Sequence, residues 1–374
     1  MGEVKECGLC GSTDLAIILD MGEQPLAERF GDPRRYPLAL AECGNCTLVQ
    51  LTFAVDQAEV FPPDHPYASG NTAALRNHFA GLAGILKARG LISPGDLVVD
   101  IGCNDGTFLA ALGDDYARVG VEPTGQGAKC AGRGIGVWRN YFTADVGRGI
   151  RRLHGPARVV TACNVLAHVP DPHDFVAGVA EMLAGDGVFV TENHDVASVT
   201  GGLQIDAVYH EHLRYFSPGT LARLLAQHGL DVTGTEPVPT HGGSFRAFAR
   251  RRQGGLQERA GTAAAALREM LAGITASGAA VYGVGATTRA VPLIHYARIA
   301  PYIRCVCEVP GSEKTGYLMP GTQIPVVDEV ALLEDQPEYA LLLAWHVAAT
   351  ITRKLRAAGY RGKFIVPLPE PRVI

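Results

Sequence analysis

Leu97-Val98-Val99-Asp100-Ile101-Gly102-Cys103-Asn104-Asp105-Gly106-Thr107-Phe108 is the stretch that decides the fold. Its apolar opening reads as a short buried strand, and a helix starts by Phe108 and runs through Leu112. Between them, Gly102 and Gly106 permit a tight turn and let a ligand come close to the backbone. The next apolar run, Ala117 to Val121, ends on Glu122. An acid at that strand end is placed to accept hydrogen bonds from both hydroxyls of a ribose.

Downstream, Val159 to Ala162 and Val188 to Glu192 are further buried-strand candidates, separated by helix-sized stretches. Alternation of this kind reads as α/β, a doubly wound parallel sheet. After a helix at Thr220 to His228, Leu230 to Thr235 and Ser244 to Arg250 alternate like two antiparallel strands that close one edge. The glycine turn alone leaves NAD, flavin and S-adenosylmethionine all open. The antiparallel edge pair resembles the class I S-adenosylmethionine methyltransferase fold, and that resemblance selects the methyl donor. Upstream, Leu75, Phe79, Leu82, Ile85 and Leu86 recur at helical spacing between Ala73 and Ala88, and Gly90 stops the helix.

The chain has 374 residues, long enough for two or three domains. Apolar residues at 47% and charged residues at 19% exclude general disorder. A formal charge of -5, with no basic stripe, argues against a nucleic-acid partner. No run reaches the roughly 18 apolar residues of a membrane span, and the N-terminus lacks an apolar signal core. The expectation is a cytoplasmic protein acting on a small molecule. Cys7-Gly-Leu-Cys10 and Cys43-Gly-Asn-Cys46 are two C-x2-C knuckles separated by 32 residues. Four thiolates complete a closed tetrahedral zinc site, and a loop-rich module with little core needs such a site for its stability. Cys103, Cys130, Cys163, Cys305 and Cys307 have no knuckle spacing and read as packing residues.

Beyond a helix-favouring stretch at Gln257 to Ala276, a second α/β pattern opens at Val281-Tyr-Gly-Val-Gly285. Its later strands are expected at Ile303 to Glu308, Ala340 to Ala344 and Lys363 to Val366. The expected organisation is a zinc-binding module at 1–66, a methyl-donor domain at 67–256 and a Rossmann-like domain at 257–374.

Tyr209-His210-Glu211-His212-Leu-Arg-Tyr215 is the densest cluster of titratable groups. It falls between the fourth sheet strand and the following helix, on the side where such folds build their sites. A histidine there can take a proton from carbon beside a ketone, and a tyrosine or carboxylate can orient it or stabilise the enolate. His-x-His also matches a metal pair, but no third ligand accompanies it.

The sequence resembles the NDP-hexose C-methyltransferases that build branched deoxysugars for secondary metabolites such as antibiotics. The likeness spans almost the whole chain: the four cysteines; Pro66-Tyr67-Ala-Ser69; Asp100-Ile-Gly-Cys-Asn-Asp-Gly-Thr; Asn164-Val-Leu-Ala-His168-Val-Pro-Asp171; Tyr209-His-Glu-His212; His241-Gly-Gly-Ser-Phe-Arg246; Pro320-Gly-Thr322; and Pro367-Leu-Pro-Glu370. It implies S-adenosylmethionine-dependent C-methylation of a keto-deoxysugar carried on a nucleoside diphosphate. It makes His212 the base, with Tyr209 and Glu211 beside it and Tyr67 reaching the reacting sugar carbon. The donor set is then Asp100, Gly102, Asn104, Gly106, Glu122 and Asn164. His168 and His241 face the sugar, and Arg289 and Lys314 supply donors to the nucleotide.

Two features depart from the family pattern. The turn at Tyr282-Gly-Val-Gly-Ala-Thr-Thr-Arg289 lacks the usual small-residue and lysine sequence, and the helical stretch before it is shorter. Gly283-x-Gly285 with Glu308 at the next strand end also leaves a competing reading, a keto-sugar reductase or a bifunctional enzyme using a nicotinamide cofactor. A binding module that has lost catalysis is a third reading, opposed by the intact Tyr209 to His212 cluster.

Overall fold

The computed structural model describes residues 2–374 and divides into two compact units, one ending at Arg252 and one running Gln253–Ile374. The first is organised around a seven-stranded sheet: β1 (Leu97–Ile101), β2 (Ala117–Val121), β3 (Gly136–Trp138), β4 (Ala157–Cys163), β5 (Leu183–His194), β6 (Leu230–Val238) and β7 (Ser244–Arg251). Their spatial order is β6-β7-β5-β4-β1-β2-β3. The five strands from β5 to β3 are parallel, and β7 runs antiparallel to both β5 and β6. This is the doubly wound class I methyltransferase sheet with its antiparallel edge, as the strand pattern implies.

Alternate residues of the central strands enter two different cores. Val99, Val160 and Phe189 pack with Ile150, Phe175 and Leu224 on one face. Val98, Val159, Val188 and Val190 pack with Leu82, Leu86 and Phe108 on the other. Every residue of β1 is therefore buried, which accounts for a nearly unbroken apolar run instead of an alternating one. Helices Ala144–His154 and Pro172–Met182 approach closely because their contact is made by glycines. A Cβ on Gly147 would fall 2.5 Å from the Gly178 carbonyl oxygen.

The N-terminal segment forms an antiparallel sheet from Leu15–Pro25, Arg35–Cys43 and Val49–Leu51. Its fourth strand, Arg214–Tyr215, comes from the loop between β5 and β6 and pairs with Gln50 and Val49. Cys7, Leu9 and Leu48 lie in the same core as Phe175, Phe216 and Leu221.

The second unit begins with helix Leu256–Ala276 and holds a six-stranded sheet. Its strands are β8 (Val281–Val284), β9 (Val306–Glu308), β10 (Val326–Asp328), β11 (Tyr339–Leu342), β12 (Lys363–Val366) and β13 (Arg372–Val373), in the order β10-β9-β8-β11-β12-β13. All pairs but the last are parallel. Among the described residues, no helix is long and apolar enough to cross a membrane.

Candidate functional site

The two knuckles meet. Cys7 and Cys46 have Sγ atoms 3.4 Å apart, Cys10 and Cys43 3.6 Å apart, and all four thiols lie within 4.8 Å of one another. Tetrahedral zinc with sulfur at about 2.3 Å holds its ligands roughly 3.8 Å apart, so the cluster fits zinc with little movement. With four thiolates the site is closed and structural.

A cavity of about 990 Å³ opens over the carboxyl ends of β1, β2, β4 and β5, lined entirely by residues between Ala27 and Gly242. At one end lies the glycine turn. Gly102 has φ +70, and a Cβ there would fall 2.5 Å from Val165 Cγ2, so only glycine fits. Asp100 is buried and accepts from the Thr161 hydroxyl at 2.6 Å; burial pushes its carboxyl up to about 7. Glu122 accepts from the Asn104 amide at 3.0 Å, and from the Thr124 amide at 2.8 Å and hydroxyl at 2.6 Å. A carboxylate has about four acceptor sites, so one remains for a ribose hydroxyl. The Asn104 side chain accepts from the Ser69 amide and donates to the Tyr67 carbonyl, and Asp105 accepts from the Gly70 amide. The segment carrying Tyr67 is thereby tied down onto the turn.

The other end is rich in imidazoles. His65, His78, His168, His194, His212 and His241 all line the cavity. His212 Nε2 lies 3.0 Å from the Tyr209 hydroxyl, and the two rings overlap with centroids 4.2 Å apart. Burial, with His168 and His194 adjacent, holds the His212 pKa well below the usual histidine value. Burial, then Glu211, pushes the Tyr209 hydroxyl above the usual phenol range. His168 Nδ1 donates to the Glu211 carbonyl at 2.6 Å, and burial lowers its pKa as well. Burial raises the Glu211 pKa, and its Oε2 has no hydrogen-bond partner among the described residues. The site is built to hold neutral groups close together.

Of the residues expected at the site, Tyr67, Asp100, Gly102, Asn104, Glu122, Asn164, His168, Tyr209, Glu211, His212 and His241 all line this one cavity. Gly106 does not; at φ +77 it packs beneath the turn, where a Cβ would fall 2.8 Å from Cys130 Sγ. His210 is also elsewhere, with Nε2 3.3 Å from the Tyr36 carbonyl, so His210 and His212 do not form a ligand pair. Arg289 and Lys314 belong to the second unit. Arg289 lies over the Trp345 ring at 5.6 Å, and Lys314 Nζ donates to the Ala286 carbonyl at 2.9 Å. Sequence reading missed His65, His78 and His194. His194 closes β5, a strand-end signal that was available; His78 sits mid-helix, 2.7 Å from the buried Glu192, and had none.

Comparison with known proteins covers all three parts of the chain. Family profiles match residues 7–61 as a zinc binding domain, 75–234 as a methyltransferase domain and 254–369 as a C-methyltransferase C-terminal domain. The C-methyltransferase NovU of Streptomyces niveus is 31% identical over 99% of this chain and 97% of its own length. A ubiquinone biosynthesis O-methyltransferase of Burkholderia pseudomallei is 28% identical over 40% of this chain and 70% of its own. Among solved structures, the magnesium protoporphyrin IX methyltransferase ChlM of Synechocystis, with bound S-adenosylhomocysteine, is 17% identical over 48% of this chain and 83% of its own, with a TM-score of 0.36.

Cys43→Ser should strip the protein of its zinc and lower its unfolding midpoint, since the binding energy of a closed site is folding energy. Metal analysis beside thermal unfolding checks this; stoichiometric zinc with an unchanged midpoint would rule out the four-cysteine assignment.

Proposed function

Because the chain belongs to the C-methyltransferase family that includes NovU, we propose that it methylates carbon beside the ketone of a nucleoside-diphosphate keto-deoxysugar, with His212 as base. The protein is an S-adenosylmethionine-dependent C-methyltransferase with a structural zinc. The observation that carries the finer reading is the Tyr209–His212 pair at 3.0 Å, in the same cavity as the Gly102 and Glu122 cradle.

The donor supplies an electrophilic methyl group on a sulfonium. Glu122 would accept from its ribose, Asp100 and Asn164 would border it, and Gly102 with Asn104 would give it room. Carbon next to a ketone is not nucleophilic until it loses a proton. His212, kept neutral by burial, takes that proton on a ring nitrogen, and the C–H electron pair moves into the enolate. Tyr209 orients the imidazole, while Tyr67, Glu211, His168 and His241 hold the sugar. The donor, when bound, would supply its methyl group to the enolate carbon, the C–S electron pair going to sulfur as the C–C bond forms and the ketone is restored.

In the second unit taken by itself, the turn after β8 is our candidate for holding a diphosphate on backbone amides. Gly285 has φ +92 there, and Glu308 accepts from the Ala286 amide at 2.8 Å, as Glu122 does from Asn104 in the first unit. Arg289 and Lys314 flank this turn in sequence and in hydrogen bonding, respectively, and add positive charge. The reductase reading rests on the same turn, which lacks the third glycine of a dinucleotide fingerprint. A cytoplasmic role in deoxysugar, and hence antibiotic, biosynthesis follows from this substrate class.

Glu122→Ala should weaken S-adenosylhomocysteine by about 1.5 to 3 kcal/mol in calorimetry, the loss of a charged acceptor; unaltered affinity in a folded variant would contradict the cradle. Thymidine and uridine diphosphates should compete with substrate but not with donor. If neither binds, the nucleotide-sugar reading fails, and NADPH binding in their place would support the reductase.

His212→Asn should keep donor affinity yet lose about 10² to 10⁴ in both methyl transfer and solvent-deuterium exchange at the substrate α-carbon. Because its pKa is depressed, His212 stays in its base form as pH falls through about 6.5, where an ordinary histidine is half protonated. The acid limb of the exchange rate should therefore lie below that pH. Exchange at the wild-type rate in the variant would show that another group is the base.

A further inference from the structure

We infer that Arg214 is a positioning residue that couples the zinc site to the rim of the active-site cavity. Its backbone lies in the short strand that completes the zinc-module sheet, paired with Gln50. Its guanidinium reaches in two directions. On one side Nη1 donates to the Val169 carbonyl and Nη2 to the Pro170 carbonyl, the latter at 2.7 Å. Val169, Pro170 and Asp171 line the cavity.

On the other side the guanidinium lies against the first knuckle, Cys7 to Cys10. A Cβ placed on Gly8 would fall 2.5 Å from Arg214 Nε and 2.6 Å from Nη2, so a side chain at that position would displace the guanidinium. Nε itself is buried and has no hydrogen-bond partner among the described residues. A charged donor left in that state is costly unless a negative group faces it. Four thiolates around one Zn²⁺ carry a net charge of minus two, and they would sit on the knuckle against which Arg214 packs. Arginine suits the task because its planar fork can serve two carbonyls along one edge and a third group along another.

Two substitutions separate the charge from the fork. Arg214→Met removes both, and Arg214→Lys keeps a cation that cannot bridge the same carbonyls. In competition against a chelator of known affinity, the Met variant should bind zinc about tenfold more weakly or worse, and the Lys variant within about threefold of wild type. Amide hydrogen exchange supplies a readout independent of turnover. Removing zinc from the wild-type protein should speed exchange in the peptide spanning 166–175. Zinc-loaded Arg214→Lys should already exchange that peptide at the zinc-free rate. A folded Met variant with wild-type zinc affinity would overturn the inference. So would zinc-loaded Arg214→Lys protecting 166–175 as wild type does, which keeps the test decisive should the Met variant fail to fold. None of these readings depends on the identity of the sugar, so failure of the proposed substrate would leave them intact.

Discussion

A buried turn cannot leave its amides without acceptors, and this constraint organises the cavity around the glycine turn after β1. Opening the chain after β1 to admit a ligand exposes backbone donors in a place that water barely reaches. Glu122 meets the need from the end of the neighbouring strand by taking the Asn104 and Thr124 amides. Asn104, held at φ 51, then turns its side chain outward to bind Ser69 and Tyr67. One carboxylate thus sets the turn, the turn sets Asn104, and Asn104 sets the segment that carries Tyr67 over the cavity. The second unit repeats the first step with Glu308 and Ala286. The repetition reflects a common solution to the same backbone problem.

The opposite end of the cavity follows a different logic. Imidazoles packed this closely cannot all be charged, and burial holds His65, His168, His212 and His241 toward their neutral forms. Charge is kept to the periphery of the group. His78 meets Glu192, which also pairs with Arg246; Arg246 reaches Glu236, and Glu236 reaches Arg89. The lining thus offers mostly neutral donors and acceptors, with the charged pairs tied to one another.

Much of this was legible in the chain, for physical reasons that differ from residue to residue. The zinc cysteines announce themselves because tetrahedral coordination imposes local spacing. Gly102 and Glu122 are visible because a parallel sheet places ligand groups at strand ends. His212 is visible through its dense local cluster and its family motif. His78 and Arg214 could not be read in this way. Each faces a partner more than 40 residues distant, Glu192 or the carbonyls of Val169 and Pro170, and a backbone carbonyl leaves no signature in sequence. Equally hidden was the shared core of the N-terminal segment and the donor domain, since a Cys-rich module reads as self-sufficient until its fourth strand is located.

That fourth strand has a consequence for how the protein is made. Synthesis delivers Cys7, Cys10, Cys43 and Cys46 early, but Arg214–Tyr215 follows Val49–Leu51 by about 160 residues, a long loop to close. The nascent N-terminal sheet therefore waits with one edge unpaired while most of the donor domain emerges from the ribosome. Zinc bound by the two knuckles would tie Cys7 and Cys10 to Cys43 and Cys46 without waiting for that strand.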